Sequence, residues 1–243
     1  MRVVESGIGE LIQPPDMNAF REWNRTQKSR KLVDKLMTEQ EAVSRFVYDG
    51  CYIGTELYGT VRCPMSLVRE VLRQGIKDLR VAGQGVTELD LWLGAGLVKK
   101  LDLTYIGLEV YGTSRALRRA VESGQVESVV EWSNGGITWR FKAAAMGVPF
   151  IPVRAMLGSD TFRYSAAKVV ECPFTGQKIC LLPALILDVA RALTTAGFGA
   201  LAIANAHLDP NRLVIIAVGD RSRIEPELAS LGRGTPVVWS GDF

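Results

Sequence analysis

Apolar positions along this chain fall into two alternating kinds of run. Cys51-Tyr52-Ile53, Leu79-Arg80-Val81-Ala82, Leu101–Leu108 and Val126–Trp132 are short and bounded by turn formers, as strands are. Between them apolar residues recur at helical spacing: Asn18 to Met37, Ala42 to Val47, Met65 to Leu72, Glu88 to Leu93, Ser114 to Ser123, and Ser133 or Asn134 to about Met146. Thr38-Glu39-Gln40-Glu41 predicts a capping box, in which side chains and orphan amides satisfy each other. Pro64 suits a first helical turn, and Gly75 and Gly147 suit helix ends. Val148-Pro149-Phe150-Ile151 and the Leu181–Leu185 stretch read as later strands.

Strands alternating with helices of this length predict an α/β fold, a mostly parallel sheet with helices on both faces and right-handed crossovers. Residues 1–17, with Gly7, Gly9, Pro14, Pro15 and no periodicity, are expected to form an extended leader. Residues 18–190 form the main domain of this reading, and 191–243 an atypical short α/β tail.

The remaining totals mostly exclude. A net charge of +3 over 243 residues is too small to make nucleic acid or an anionic membrane the main partner. No stretch has the roughly 18 apolar residues of a membrane span, and the first residues lack a signal-peptide core, so a cytoplasmic protein is expected. Cys51, Cys63, Cys172 and Cys180 show no C-x-x-C spacing and read as buried free thiols. The single histidine, His207, lies in the polar turn Asn205–Pro210, which argues against zinc sites and histidine-based triads; no metal is expected.

Two places suit chemistry. The stretch Gly54-Thr55-Glu56-Leu57-Tyr58-Gly59-Thr60 follows a strand and precedes the Pro64 helix. Its amides, with Gly54, Thr55, Glu56 and Gly59 as candidate contacts, are placed for a thioester oxygen or a phosphate, though a structural turn explains the glycines equally well. It is neither a G-K-[ST] phosphate loop nor G-x-G-x-x-G, so triphosphate hydrolysis and dinucleotide redox have no support. Glu109 ends the Leu103–Leu108 run, at the strand end where α/β proteins build sites. It also suits stabilising the next helix dipole, or pairing with Arg115, Arg118 or Arg119.

From Glu131 to Leu185 the chain resembles the A (alpha) subunit of family I coenzyme A transferases, in the glutaconate-CoA-transferase-like branch. The resemblance is carried by Trp139–Gly147, Val148-Pro149-Phe150, Leu157-Gly158-Ser159-Asp160, Cys172-Pro173-Phe174-Thr175-Gly176 and Leu181–Leu185. Upstream, Pro64-Met65 with Leu67–Glu70, Gly94–Lys100, and Ile106–Glu109 with Arg118–Val121 match the same pattern, so it covers roughly residues 18–188. It implies an A/B hetero-oligomer with a coenzyme A thioester as substrate at the interface and no bound cofactor. A glutamate of the B (beta) subunit would be the nucleophile, forming an acyl anhydride and then a glutamyl-CoA thioester. That motif is a glutamate directly before Asn-Gly; here Ser133 precedes Asn134-Gly135, as expected of an A-type chain. Gln84, Ser159 and Asp160 join the acyl-CoA contacts on this reading, and Arg118, Arg119, Lys99 and Lys100 either meet CoA phosphates or form a solvated charged face.

Relatives in bacterial steroid-ring degradation are thought to hydrolyse a carbon–carbon bond of a cyclic CoA ester, with a glutamate of the A-type chain after a Y-x-G-apolar-E strand implicated. Tyr105-Ile106-Gly107-Leu108-Glu109 matches it. The expectation is a transferase subunit, with two alternatives: a CoA-ester hydrolase using Glu109, or a non-catalytic assembly subunit. Thr55-Glu56-Leu57-Tyr58 departs from the small residues common in the family loop. Residues ~191–235, notably Leu208–Ile216, Val218-Gly219-Asp220 and Ile224–Leu228, resemble the C-terminal end of a pitrilysin-type (insulinase-like) peptidase homologue. Its H-x-x-E-H chemistry does not carry over to a chain with one histidine.

Overall fold

The computed structural model describes residues 2–28, 37–54 and 63–188. The loop positions Thr55, Glu56 and Gly59, His207 and the whole of 191–243 lie outside the described residues. The apolar runs become a parallel sheet in the order β2 (Tyr52–Gly54), β3 (Leu79–Gly85), β4 (Val98–Ile106), β5 (Ser128–Glu131). Alternation along these strands divides their side chains between two cores. Cys51, Ile53, Leu79, Val81, Leu101 and Leu103 face α2 (Glu39–Phe46), α3 (Met65–Arg73), α4 (Thr87–Gly94) and α5 (Arg115–Glu122). Tyr52, Ala82, Val130 and Trp132 face the other way, toward α6 (Asn134–Met146). The chain is thus α/β, with a parallel sheet flanked by helices.

The expected local signals operate. The Thr38 hydroxyl accepts the Glu41 N–H and the Glu41 carboxylate accepts the Thr38 N–H, a complete capping box on α2. Ser114 and Ser133 cap α5 and α6 through the amides of Leu117 and Gly136. The helix expected over 18–37 is described as α1 (Met17–Thr26), capped by Asp16.

What the alternation does not announce is a second, antiparallel sheet. The strand expected at 148–151 starts later, as β6 (Phe150–Val153), and leaves the parallel sheet. It pairs with β8 (Lys178–Pro183), which pairs with β7 (Lys168–Glu171), which pairs with β1 (Val3–Ser6). The segment expected as a leader therefore supplies an edge strand, with Val3 opposite Val170. Val169, Cys180 and Leu182 of this sheet join Ile137 of α6 and the second face of the parallel sheet in one core. After β8 the chain returns to the outer edge of β2. There Asp188 N–H donates to the Tyr52 carbonyl at 2.9 Å, and its carboxylate accepts the Tyr52 N–H at 2.9 Å and Arg80 Nη2 at 3.1 Å.

One buried ion pair spans these layers. Asp102 of β4 and Arg140 of α6 are 1% and 2% exposed, and Nη1 donates to Oδ2 at 2.7 Å. The Tyr52 hydroxyl and Trp132 Nε1 also donate to this carboxylate, Arg140 Nε reaches the Pro183 carbonyl, and the guanidinium lies 3.9 Å over the Trp132 ring. Burial, with the Asp102 charge after it, raises the Tyr52 phenol well above its ordinary value, so it remains a donor. Among the cysteines, Cys51 and Cys180 are buried, whereas Cys63 and Cys172, expected to be buried, are only partly so.

Candidate active site

A parallel sheet brings the carboxyl ends of all its strands to one edge, where the connections to the helices open. Gly54 ends β2, Gln84 lies one residue before the end of β3, and Glu109 follows β4. The structure brings these three sequence-derived candidates to one edge. Gly54 sits where a Cβ would lie 2.6 Å from Leu187 Cδ1, so the chain returning from β8 closes against the root of the 54–63 connection.

The approach to Glu109 is irregular. Gly83 pairs with Leu103 but Gln84 pairs with Tyr105, so Thr104 is an extra residue bulged into β4. Its hydroxyl is a buried side-chain oxygen with no hydrogen-bond partner among the described residues. Beyond the bulge the chain makes a closed turn. Gly107 N–H donates to the Gly85 carbonyl, Leu108 N–H to Gly112 at 2.8 Å, Tyr111 N–H to Leu108 and Gly112 N–H to Glu109. Closing so tight a turn puts Gly112 at φ 91°, where only glycine is comfortable, and Glu109 at φ 53°, where glutamate is not. Such backbone strain concentrates where structure is dictated by use rather than by local preference. The Glu109 side chain is exposed and makes no hydrogen bond or ion pair among the described residues. The pairing with Arg115, Arg118 or Arg119 that the sequence allowed is not formed. Val110 and Tyr111 beside it are 88% and 82% exposed, large apolar side chains held out on the same turn.

Other candidates sit apart. Arg118 is exposed and pairs with Glu122 one helical turn on, at 2.8 Å. Arg119 lines a shallow groove with Leu93, Gly94 and Gln125, at the end of the helix layer opposite Glu109. Lys99 pairs with Glu127. Ser159 caps α7 (Asp160–Arg163): its hydroxyl donates to the Met156 carbonyl and accepts the Phe162 N–H. Asp160, the first residue of α7, is exposed. The loop before Ser159 packs on α6, because Met156 Sδ lies 2.9 Å from where a Gly136 Cβ would be.

Sequence reasoning misses the first turn of α4, between β3 and the Glu109 turn. Glu88 is 1% exposed; it accepts the Val86 N–H at 3.1 Å and the Cys63 thiol at 3.5 Å. Burial raises the Glu88 carboxyl, and burial with the nearby carboxylate pushes the Cys63 thiol up to about 11. Asp90 accepts the Ser114 hydroxyl at 2.6 Å. The available signal is two carboxylates, Glu88 and Asp90, in the opening turn of a helix at a strand's carboxyl end.

The coenzyme A transferase family model matches residues 36–203. This chain belongs to the coenzyme A transferase family. It is 45% identical over 192 residues to an uncharacterized protein of Archaeoglobus fulgidus, covering 78% of this chain and 43% of that protein. To the A-type subunit of 3-oxoadipate CoA-transferase from Pseudomonas knackmussii it is 35% identical, with 64% and 56% of the two chains covered. To the cholesterol ring-cleaving hydrolase IpdA subunit of Rhodococcus jostii it is 33% identical, with 65% and 55% covered. The crystal structure of glutaconate coenzyme A-transferase from Acidaminococcus fermentans superposes with a TM-score of 0.59 at 29% identity, over 63% of this chain and 54% of that one. The chain thus spans about half the length of the curated relatives it matches. The family match runs past residue 190 to 203, and these relatives lend no support to the peptidase likeness of residues 191–235. Ser133, at the position before Asn134-Gly135, caps α6. Among the described residues no helix is long and apolar enough to cross a membrane.

Proposed function

We propose that this chain is the A-type component of a cytoplasmic CoA-transferase-type enzyme, moving CoA between an acyl-CoA and a carboxylic acid at an interface with a B-type partner. On this reading the partner's glutamate attacks the thioester carbonyl and CoA thiolate leaves, giving an acyl anhydride. The thiolate then attacks the glutamyl carbonyl, releasing the first acid and leaving a glutamyl-CoA thioester. An acceptor carboxylate reverses the two steps with its own acyl group. This chain's part is to bind and enclose the acyl-CoA, with Gly54 and Gln84 at the carboxyl ends of β2 and β3 and with Thr55, Glu56, Gly59, Ser159 and Asp160 as further contacts of this reading. The observation that carries the proposal is the Glu109 turn, a strained carboxylate without a partner among the described residues, at the carboxyl edge of a sheet belonging to this family. The exposed Val110 and Tyr111 beside it suit burial against a partner chain, which would exclude water from the thioester.

A second reading rests on that same carboxylate. With no cation holding it among the described residues, Glu109 is placed to act as a general base, taking a proton from a water that attacks a ring carbonyl carbon of a cyclic CoA ester; the adjacent ring carbon–carbon bond then breaks, its electron pair leaving as an enolate that takes the proton back, and the attacked carbon becomes a carboxylic acid. The ring-cleaving hydrolase relative favours this alternative. The test is turnover of an acyl-CoA panel by this chain co-expressed with a B-type partner, with and without an acceptor carboxylate. Acceptor-dependent exchange supports the transferase. Acceptor-independent cleavage abolished by Glu109→Gln supports the hydrolase. A stable complex that does neither leaves the chain with a role in assembly alone and overturns both.

A further inference from the structure

The Glu109 turn is closed upon itself but stands on two feet. The first is the Gly107 N–H to Gly85 carbonyl bond at 3.2 Å, continuing the β3–β4 ladder. The second is Ser114, 5% exposed, two residues beyond Gly112. The Ser114 oxygen accepts the Leu117 N–H at 2.9 Å, which starts α5, and its proton goes to Asp90 Oδ1 at 2.6 Å. Asp90 is only partly buried, yet its carboxylate reaches to a neighbouring helix, while its own N–H continues α4 through the Val86 carbonyl. A charge-assisted O–H···O bond of this length is among the stronger ones a side chain makes. It locks the start of α5 to the start of α4, and only Thr113 lies between Gly112 and the locked residue.

We propose that Asp90 is a positioning residue for Glu109, holding the turn through the Ser114 hydroxyl. The inference rests on the reading in which Glu109 faces the acyl group, but its structural half stands alone. Asp90→Ala removes the acceptor; Asp90→Asn keeps an oxygen where Oδ1 is. In the full chain, hydrogen exchange of the Leu108, Tyr111 and Gly112 amides is expected to speed up roughly tenfold in Asp90→Ala and to stay at the native rate in Asp90→Asn. Amides of β4 and β5 remain unchanged in both. In the assembled complex, Asp90→Ala is expected to lower kcat by up to about 100-fold at unchanged KM, with Asp90→Asn restoring it. Native exchange rates on the turn in Asp90→Ala would overturn the proposal. So would a kcat loss that Asp90→Asn fails to restore. If Glu109→Gln leaves turnover intact, the reading of Glu109 falls, while the exchange experiment still decides whether Asp90 holds the turn.

Discussion

Arg140→Met offers the sharpest test of how the layers are joined. The substitution keeps much of the side-chain volume and removes the positive charge beside Asp102. Lost with it are the 2.7 Å bond to Asp102, the 3.1 Å bond to the Pro183 carbonyl and the stacking at 3.9 Å over Trp132. Each is individually worth about 1–3 kcal/mol. Their sum overstates the effect, because the guanidinium no longer has to be desolvated. The decisive quantity is the carboxylate left behind, 1% exposed and without its cation, and breaking a buried pair in this way costs about 3–5 kcal/mol. That is a large fraction of the ~5–15 kcal/mol that holds a domain together. Urea unfolding of the full chain followed by tryptophan fluorescence, with Trp132 as a reporter inside the cluster, measures it. Adding Asp102→Asn should recover part of the loss, since the charge is gone while an amide oxygen still accepts from Tyr52 or Trp132. A single variant losing less than about 1 kcal/mol would refute the reasoning, as would a double variant whose two losses simply add.

Three further outcomes are expected. Glu109→Gly relieves the left-handed strain of about 1–2 kcal/mol at the cost of about 0.5–1 kcal/mol in unfolded-chain entropy, so stability should rise by up to about 1.5 kcal/mol; a loss of about 1 kcal/mol in thermal unfolding would argue against strain. Burial raises the Glu88 carboxyl above its unfolded value, so its favourable contribution is full below the unfolded pKa and lost as pH rises through the folded one. Glu88→Gln should therefore stabilise the chain at about pH 8 and not at about pH 4, and a gain confined to the acid side would reverse the sign and sink the account. With its thiol pushed up to about 11, Cys63 should react with iodoacetamide at pH 8 about 100-fold more slowly than an ordinary thiol. Cys172, lowered chiefly by the Thr175 hydroxyl and also by backbone amides, should label first; peptide mass mapping that finds the two equal would contradict both shifts.

Much of the framework is legible because its signals are local. The Thr38–Glu41 box, the serine caps and the apolar runs of β2 to β5 need only neighbouring residues to operate. The antiparallel sheet is not legible, since pairing direction is absent from an apolar run. β1 is the hardest to see: its four residues are exposed, so no alternation marks them. Glu109 stands out by its place after a strand, but its positive φ arises from a turn closure between residues 108 and 112 that composition does not encode. Arg140 reads as part of an amphipathic helix. It lies three residues after Ile137 and four before Ala144, on the buried stripe, and that spacing is a usable signal for a charge in the core. Its partner Asp102, between Leu101 and Leu103 in the sequence, is the matching clue.

The clasp at the edge of β2 has a consequence for synthesis. Tyr52 emerges from the ribosome 136 residues before Asp188, whose backbone and carboxylate cover its outer edge. Val3 waits longer still for Val170, 167 residues further along the chain. Until the chain has been made to about residue 188, a nascent fragment carries two unpaired strand edges and an apolar sheet face without its second layer. Contacts of such sequence separation make folding slow and expose intermediates to edge-to-edge association. Growth temperature and chaperone supply should therefore govern the soluble yield of this chain more than the stability of its finished fold does.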